Sequence, residues 1–250
     1  MPHLFQPAGE AALAEVLRRG PLLGFDFDGT LAPIVTTPGQ ARISRSVSGK
    51  LRRLAAHLPV AIVSGRSVAD LSSRLDFTPH YLVGNHGAEF DAEDAVRGGG
   101  QLDAARRLLE MHADLLRQAG VTVEDKGLSL ALHYRLSRCR EQACEAIRQA
   151  LRPIEGDYRT FSGKMVENIV PAGVPDKGGA MHSLVRQCQA ACAVFIGDDV
   201  NDEAVFASAP QDWLTVRVGR DDPTSQADFF LDSTAEVALV LDRMLMHVGA

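Results

Sequence analysis

Short apolar runs alternate with helical patterns in two separate parts of the chain. Runs of this length, each ending in glycine or a polar residue, predict buried strands. They occupy residues 22–25, 60–64, 81–84, 193–197, 215–219 and 228–231. Helical patterns accompany them at residues 44–57, 67–75, 177–189 and 235–246. Strand–helix alternation of this kind predicts the α/β class, with a parallel sheet covered on both faces.

The middle of the chain has a different pattern. Four further strand candidates lie at residues 121–127, 128–135, 158–163 and 164–170, with helical patterns at 101–118 and 141–151. The first two candidates are joined by a tight turn at Lys126-Gly127. Hairpins combined with helices predict a separate α+β unit. We therefore predict a Rossmann-like core from residues 1–85 and 172–250, with an α+β unit inserted over residues 86–171.

Composition narrows the function classes. The chain has 250 residues, a net charge of −6 and 46% hydrophobic residues, which argues against a disordered chain and a general nucleic-acid binder. No apolar run approaches the roughly 20 residues that a membrane span needs, and the N-terminal residues lack a signal pattern. The four cysteines form no Cys-x-x-Cys pair. We expect a cytoplasmic protein with no membrane contact.

Two carboxylates, Asp26 and Asp28, follow the first apolar run in the sequence Asp-Phe-Asp-Gly-Thr. Residues two apart on a strand share a face, so these carboxylates would crowd one point. Like charges that close repel each other unless a cation lies between them or one of them carries a proton. The pattern therefore favours a metal site, a shared proton or both over a turn with two solvated carboxylates.

A second acidic group, formed by Asp198, Asp199 and Asp202, follows the apolar run at 193–197. Taken alone, it indicates either a cation site or a solvated loop. Because ligands of parallel sheets bind at the carboxyl ends of the strands, we expect the two acidic groups to meet. Carboxylates from two strand ends suit Mg²⁺, a hard ion that takes oxygen ligands. We predict a magnesium site at this edge.

Two further groups could bind a phosphate. Ser64, Gly65 and Arg66 follow the second apolar run and offer a hydroxyl and backbone N–H groups, although a helix cap would explain them too. Lys177 falls in the first turn of a predicted helix, where it opposes the helix dipole unless an anion lies nearby. The alternative for Lys177 is an ordinary surface lysine. Together with the acidic groups, these residues suit phosphoryl transfer, which needs positioning and charge neutralisation.

The order of these motifs resembles the haloacid dehalogenase-like phosphatases over the whole chain. The inserted unit resembles the α+β cap of the sugar-phosphatase branch. Within that branch the segments that resemble trehalose-6-phosphate phosphatase are 84–89, 123–135, 162–167 and 197–206. The chain departs from that pattern at Asn201, where threonine is usual, and at 168–171, where Asn-Ile-Val-Pro replaces Ile-Lys-Pro.

The resemblance implies Mg²⁺-dependent hydrolysis of trehalose 6-phosphate to trehalose and phosphate through a phosphoaspartyl intermediate. Asp26 would be the nucleophile. Asp28 would be the general acid and then the base, with a pKa raised by neighbouring carboxylates and burial. The other implied roles are metal ligation by Asp26, the Asp28 carbonyl and Asp198, orientation of metal-bound water or Lys177 by Asp199 and Asp202, and phosphate binding by Ser64, Gly65, Arg66 and Lys177.

The resemblance also implies sugar contacts. Glu124, Lys126 and Glu167 would bridge pairs of hydroxyl groups, although a hairpin with paired surface charges would explain them without it. Asn85, His86 and Glu89 would reach the near sugar ring, with a turn histidine as the alternative for His86. The remaining residues assigned to the substrate are His133, Arg135 and Lys164.

Several alternatives stay open. The substrate could be a sucrose, mannosylglycerate or glucosylglycerol phosphate. The chain could instead be a non-catalytic regulator of a trehalose-6-phosphate synthase, or a phosphotransferase or mutase. We expect a monomer that acts on a sugar phosphate and does not bind nucleic acid, with a trehalose-6-phosphate synthase as a candidate partner.

Overall fold

The structure, a computed structural model, describes residues 1–35, 38–90, 99–154, 156–163 and 165–249. The chain divides into two compact units. The core unit combines Met1–Phe90 with Pro175–Ala250, and the inserted unit is the continuous segment Asp91–Val174.

In the described residues, the core unit contains six strands and six helices of six residues or more. The strands are β1 (Leu22–Phe25), β2 (Val60–Val63), β3 (Tyr81–Val83), β8 (Ala193–Gly197), β9 (Leu214–Val218) and β10 (Phe229–Leu231). The helices are α1 (Pro7–Arg18), α2 (Arg45–Ala55), α3 (Val68–Arg74), α7 (Lys177–Cys188), α8 (Glu203–Ser208) and α9 (Thr234–Val248). Short 3₁₀ turns span Pro38–Gln40, Asn85–Gly87 and Val200–Asp202.

The six strands form one parallel sheet in the order β10-β9-β8-β1-β2-β3. The strands β1, β2, β8 and β9 are buried along their whole length, as expected when helices cover both faces of a parallel sheet. From β1 the chain runs to one side through β2 and β3, and it later returns to the other side through β8. The direction reverses between β1 and β8, so the carboxyl ends of these two strands flank the crevice in which ligands of such sheets bind.

Side-chain caps define where three of the core helices begin. Ser44 Oγ accepts a hydrogen bond from the Val47 N–H, and Ser67 Oγ accepts one from the Asp70 N–H. These bonds satisfy backbone donors that have no partner within the helix itself. Asp176 Oδ1 does the same for the Gly179 N–H, which fixes Lys177 as the first residue of α7.

The inserted unit packs one antiparallel sheet against helices. Its strands are β4 (Thr122–Asp125), β5 (Leu130–His133), β6 (Tyr158–Gly163) and β7 (Val166–Pro171), in the order β4-β5-β7-β6. Its helices are α4 (Asp103–Met111), α5 (Ala113–Gln118) and α6 (Arg140–Leu151), with 3₁₀ turns at Gly99–Leu102 and Arg152–Ile154. Leu130, Leu132 and Ile169 on one face of the sheet join the apolar side of the helices in a core of their own.

The fold class predicted from the hydrophobic pattern is confirmed, with two local differences. The sequence interpretation contained no helix before β1, where α1 is present. It also predicted one helix over 101–118, whereas the structure has two helices separated at His112, whose φ and ψ of −100° and 13° lie outside the helical range. None of the helices in the described part of the chain combines the length and apolar character that a bilayer crossing would need.

Candidate active site

The two acidic groups meet at the carboxyl ends of β1 and β8. Phe25 pairs with Ile196 in the sheet, and the Asp26 N–H donates to the Ile196 carbonyl at 2.9 Å. Carboxylate oxygens of Asp26, Asp198 and Asp202 lie within 4.8 Å of one another, and all three residues are buried. Residues that are about 170 positions apart in the sequence therefore converge on one point, as predicted.

Lys177 is held inside this cluster. Its Nζ donates to Asp26 Oδ1 at 2.8 Å and to Asp202 Oδ1 at 2.7 Å, and the side chain is only 3% exposed. Burial alone would lower the pKa of Lys177, but the attraction of the two carboxylates outweighs it and raises the pKa. The ammonium group therefore stays charged at neutral pH and fixes the position of both carboxylates.

The remaining charge of the cluster suits a divalent cation. Burial raises the pKa of Asp26 well above 3.8, and the carboxylates of Asp202 and Asp198 raise it further, whereas Lys177 opposes the shift. Asp199 Oδ1 is also buried and has no hydrogen-bond partner among the residues that the structure describes. A hard cation with oxygen ligands and retained waters would satisfy both features. The residues present therefore fit Mg²⁺.

Gly29 lets the two strand ends approach closely. Its φ of +82° lies in the left-handed region, and a Cβ atom there would fall 2.2 Å from Asp198 Oδ2. Any other residue at this position would be strained and would collide with the Asp198 carboxylate. The glycine of the Asp-Phe-Asp-Gly-Thr motif is thus required by the packing of one acidic group on the other.

Ser64 lies at the end of β2 on the same side of the sheet as these groups. It is 1% exposed, its N–H donates to the Val83 carbonyl, and its Oγ accepts a 3.3 Å hydrogen bond from the Arg66 N–H. Because Oγ is the acceptor in that bond, its own hydrogen remains available to a further acceptor. The helix cap that the sequence left as an alternative is provided by Ser67 instead.

The Arg66 side chain binds carboxylates. Its Nε donates to Asp28 Oδ2 at 2.6 Å and its Nη2 donates to Asp28 Oδ1 at 2.7 Å, while Nη1 donates to Asp70 Oδ2 at 2.8 Å. This differs from the sequence interpretation, which assigned Arg66 to phosphate and surrounded Asp28 with carboxylates. The Asp28 side chain is 39% exposed and not buried, and a guanidinium group is its immediate neighbour.

The turn after β3 has a structural role, which the sequence analysis considered only for His86. Asn85 and Glu89, which were assigned to the sugar, are 1% and 3% exposed. Asn85 Nδ2 donates to Glu89 Oε2 at 2.7 Å, and the Val68 N–H at the start of α3 donates to the same oxygen. His86, also buried, donates from its N–H to the Ser64 carbonyl. The Asn85 and Glu89 side chains therefore fix the turn after β3 to the start of α3, and the His86 main chain binds Ser64. All three side chains are buried, and their sugar contacts stay predictions.

In the inserted unit, Glu124 and His133 meet on one face of the sheet. Glu124 Oε2 lies 2.8 Å from His133 Nε2 and 4.0 Å from Lys126 Nζ. Both Glu124 and the neighbouring Arg135 are exposed to solvent. This arrangement brings together three of the predicted sugar-binding residues, of which Glu124 and His133 are 51% and 40% exposed and Lys126 is 17% exposed. Lys164, which was also predicted, lies outside the described residues.

Glu167 must be separated from that group. In the antiparallel register Glu124 faces Ala131, and Ala131 faces Asn168, so these three side chains share one face. Glu167 instead pairs with the core residue Leu132 and lines a cavity of about 460 Å³ on the opposite face. Glu167 therefore lies on the other face from Glu124, and its sugar contact stays a prediction. Asn168, which is 2% exposed, is the β7 residue on the face of Glu124.

Three residues in or beside the groups described above were not predicted from the sequence. Thr30 is 1% exposed and its Oγ1 lies 3.5 Å from Asp198 Oδ1. Asp70 anchors Arg66, but Arg66 precedes the N-cap of α3, so helical spacing alone does not indicate the contact. Asn168 could not be recognised, because the face of a strand depends on its pairing register.

Comparison with known proteins agrees with this arrangement. A family model described as trehalose-phosphatase matches residues 24–235. The chain belongs to the trehalose-phosphatase family. The resemblance to trehalose-6-phosphate phosphatase that the motifs indicated is thereby confirmed.

Individual members of the trehalose-phosphatase family are moderately similar to the chain. Trehalose-phosphate phosphatase of Mycolicibacterium paratuberculosis is 33% identical over 246 aligned residues, which cover 90% of this chain and 62% of that protein. The chain therefore spans less than two thirds of the length of this relative.

Two solved structures share the fold. The C-terminal domain of C. albicans trehalose-6-phosphate phosphatase matches with a TM-score of 0.80 and 22% identity, covering 99% of this chain and 98% of that one. An Aspergillus fumigatus trehalose-6-phosphate phosphatase matches with a TM-score of 0.69 and 26% identity, covering 100% of both chains.

Proposed function

We propose that the protein hydrolyses trehalose 6-phosphate to trehalose and phosphate in a Mg²⁺-dependent reaction. The observation that carries this proposal is the buried cluster in which Lys177 bridges Asp26 and Asp202 beside Asp198. A nucleophilic carboxylate, a fixed cation and a place for a divalent metal are the parts that phosphoryl transfer needs. Membership of the trehalose-phosphatase family supplies the choice of substrate.

Asp26 is the proposed nucleophile. Lys177 holds its Oδ1, which leaves Oδ2 to attack phosphorus in line with the departing sugar oxygen. The bond between phosphorus and the sugar oxygen breaks, and that oxygen takes a proton from Asp28. Water then attacks the phosphoaspartyl group and gives its proton to Asp28, which releases phosphate and regenerates Asp26.

Mg²⁺ would be held by Asp26, the backbone carbonyl of Asp28 and Asp198, and Asp199 would offer its buried Oδ1 as a further acceptor nearby. When bound, it would neutralise charge on the phosphoryl oxygens. Ser64 would donate its hydroxyl hydrogen to one of those oxygens, and Lys177 would offset the negative charge that builds up there. Asp202 would act through Lys177, since both of its carboxylate oxygens are hydrogen-bonded within the cluster.

The inserted unit is the proposed specificity cap. Glu124, Lys126 and His133 form a group of hydrogen-bonding side chains that suits the hydroxyl groups of a disaccharide. A cap that covers the substrate would also exclude competing water from the phosphoenzyme. We further propose that the protein acts as a cytoplasmic monomer.

Phosphate release across a panel of sugar phosphates tests the substrate. We expect rapid release from trehalose 6-phosphate with Mg²⁺, little release after chelation, and none from the Asp26→Asn variant. Equal rates on sucrose, mannosylglycerate and glucosylglycerol phosphates would reject trehalose 6-phosphate as the specific substrate. Transfer of phosphate to a second sugar would indicate a phosphotransferase. No release from any member would favour a regulatory partner of a synthase.

Glu124→Gln tests the role of the cap. We expect KM for trehalose 6-phosphate to rise about tenfold, as the loss of one charge-assisted hydrogen bond predicts. The same variant should leave hydrolysis of 4-nitrophenyl phosphate, which has no sugar, near the wild-type rate. Glu110→Gln, which changes an exposed glutamate on α4, is the matched control.

A further inference from the structure

The Arg66 side chain binds both carboxyl oxygens of Asp28. Arg66 donates from Nε and Nη2 to Asp28 Oδ2 and Oδ1, at 2.6 and 2.7 Å. This two-bond geometry requires two acceptor oxygens, so it is the geometry of a carboxylate. It also fixes the plane of the carboxylate, which a single hydrogen bond would not do.

Arg66 is itself anchored from the opposite side. Its Nη1 donates to Asp70 on α3 at 2.8 Å, and Arg74, one turn later, donates to both oxygens of Asp70 at 2.9 and 2.6 Å. The Arg74 guanidinium also reaches the carbonyls of Gly39 and Ala41. Alternating charges therefore run from α3 to the catalytic turn as Arg74, Asp70, Arg66 and Asp28.

The rest of Arg66 is equally constrained. Its N–H donates to Ser64 Oγ and its carbonyl accepts from the Asn85 N–H at 2.8 Å. Its guanidinium carbon lies 5.5 Å from the centre of the Phe27 ring, and its side chain is 12% exposed. A guanidinium shared by two carboxylates has much of its charge neutralised, and at least three of its five N–H donors are already in use.

We infer that Arg66 is a positioning residue that orients Asp28 for the water-activating step, and not a phosphate ligand. The inference rests on the proposed phosphatase activity and assigns one side chain within it. The two bonds from Arg66 fix the plane and position in which the Asp28 carboxyl group would meet the attacking water. Without the grip, the half-exposed Asp28 side chain would move among rotamers, and misplacement of a base by about 1 Å costs about 100-fold in rate.

Two variants separate positioning from phosphate binding. Arg66→Lys keeps the charge but loses the two-bond grip. Asp70→Asn leaves Arg66 and Asp28 intact but weakens the anchor. With 4-nitrophenyl phosphate, whose leaving group departs without a proton, release of nitrophenolate reports phosphorylation of Asp26. The later steady rate reports hydrolysis of the phosphoenzyme once that step limits turnover.

We expect a large nitrophenolate burst in Arg66→Lys, with kcat reduced about 100-fold and KM reduced in parallel, so that kcat/KM stays near wild type. Asp70→Asn should change kcat and KM in the same direction by a smaller factor. Inhibition by inorganic phosphate should be unchanged in both. Arg52→Lys, which alters an arginine paired with Asp76 on the exposed side of α2, should match wild type in every measurement.

Three results would overturn the inference. A fall in kcat/KM together with weaker inhibition by phosphate would make Arg66 a phosphate ligand. An unchanged burst and steady rate in both folded variants would leave the ion chain with a structural role only. If wild-type protein releases neither phosphate from trehalose 6-phosphate nor nitrophenolate from 4-nitrophenyl phosphate, the proposed function itself fails. An active wild type with unaffected variants rejects the inference alone.

Discussion

Lys177 is the residue on which the charge balance of the site depends most. It is 3% exposed and contacts two buried carboxylates, those of Asp26 and Asp202. A buried ion pair of this kind adds little stability over an apolar replacement of the whole group, but the removal of one partner leaves uncompensated charge. The functional arrangement is therefore also a point of vulnerability for the fold.

Lys177→Met should lower the free energy of unfolding by about 3–5 kcal/mol at pH 7 without Mg²⁺, because two carboxylates remain buried without their cation. Urea denaturation followed by circular dichroism measures this. The control is Lys50→Met, which breaks a pair with the half-exposed Asp242 and should cost about 1 kcal/mol or less. If Lys177→Met loses no more stability than the control, the fold does not depend on the contacts of Lys177 with Asp26 and Asp202.

At the scale of elements, Arg106 on α4 ties the helix layer of the inserted unit to the β4–β5 turn. Its Nε and Nη2 donate to the two oxygens of Asp125, and Nη2 also donates to the Gly127 carbonyl. Gly127 has a φ of +85°, which glycine adopts without strain. The turn predicted at Lys126-Gly127 thus has a second fixing point that its local sequence does not contain.

Arg106→Gln should reduce stability by about 0.5–1 kcal/mol at pH 7. The hydrogen bond from Arg106 holds the pKa of Asp125 below 3.8, so the pair stabilises the fold above that pH and the contribution is lost as pH falls through the lower folded value. The difference between variant and wild type should therefore shrink below pH 3.8. Denaturation at several pH values measures it, and a difference that is constant with pH would exclude the ion pair as its source.

Strand positions could be predicted from the sequence because the spacing and length of the apolar runs determine them. The strands β1, β6 and β8 have the predicted bounds. The face of a residue is harder to predict. In Val166–Pro171 the apolar residues do not alternate, so only pairing with β5 reveals that Asn168 and not Glu167 shares the face of Glu124. The helix α1 was not predicted, although its buried residues Leu13, Val16 and Leu17 have helical spacing.

In the candidate site too, some features could be predicted from the sequence and others could not. Acidic groups at the ends of β1 and β8 were predictable, since parallel strands bring their carboxyl ends to one edge. The grip of Arg66 on Asp28 was not, because it joins residues 38 positions apart and depends on side-chain direction. Burial of Asn85 and Glu89 likewise depends on how the turn after β3 packs on α3.

At the scale of the whole molecule, each unit has a hydrophobic core of its own. Leu23 belongs to the hydrophobic core of the core unit and Leu132 to that of the inserted unit, and both are 0% exposed. Two cores of this kind predict two units that respond separately to mutation.

Leu132→Ala should destabilise the inserted unit by about 2–5 kcal/mol, and Leu23→Ala should do the same for the core unit. In differential scanning calorimetry each variant should shift a different part of the unfolding profile. Below its own transition, Leu132→Ala should retain hydrolysis of 4-nitrophenyl phosphate. An identical shift of one sharp transition in both variants would show a single cooperative structure instead.

The pairing of Phe25 with Ile196 has a consequence for how the polypeptide is made. While translation proceeds, β1 has one neighbour, β2, and its second neighbour is synthesised only after the inserted segment has emerged. That segment is continuous, so it can fold first and bring the two halves of the parallel sheet toward each other. Slow codons placed after residue 174 would favour this order of events. The nascent chain would expose the apolar edge of β1 to chaperones until β8 has been synthesised and pairs with it.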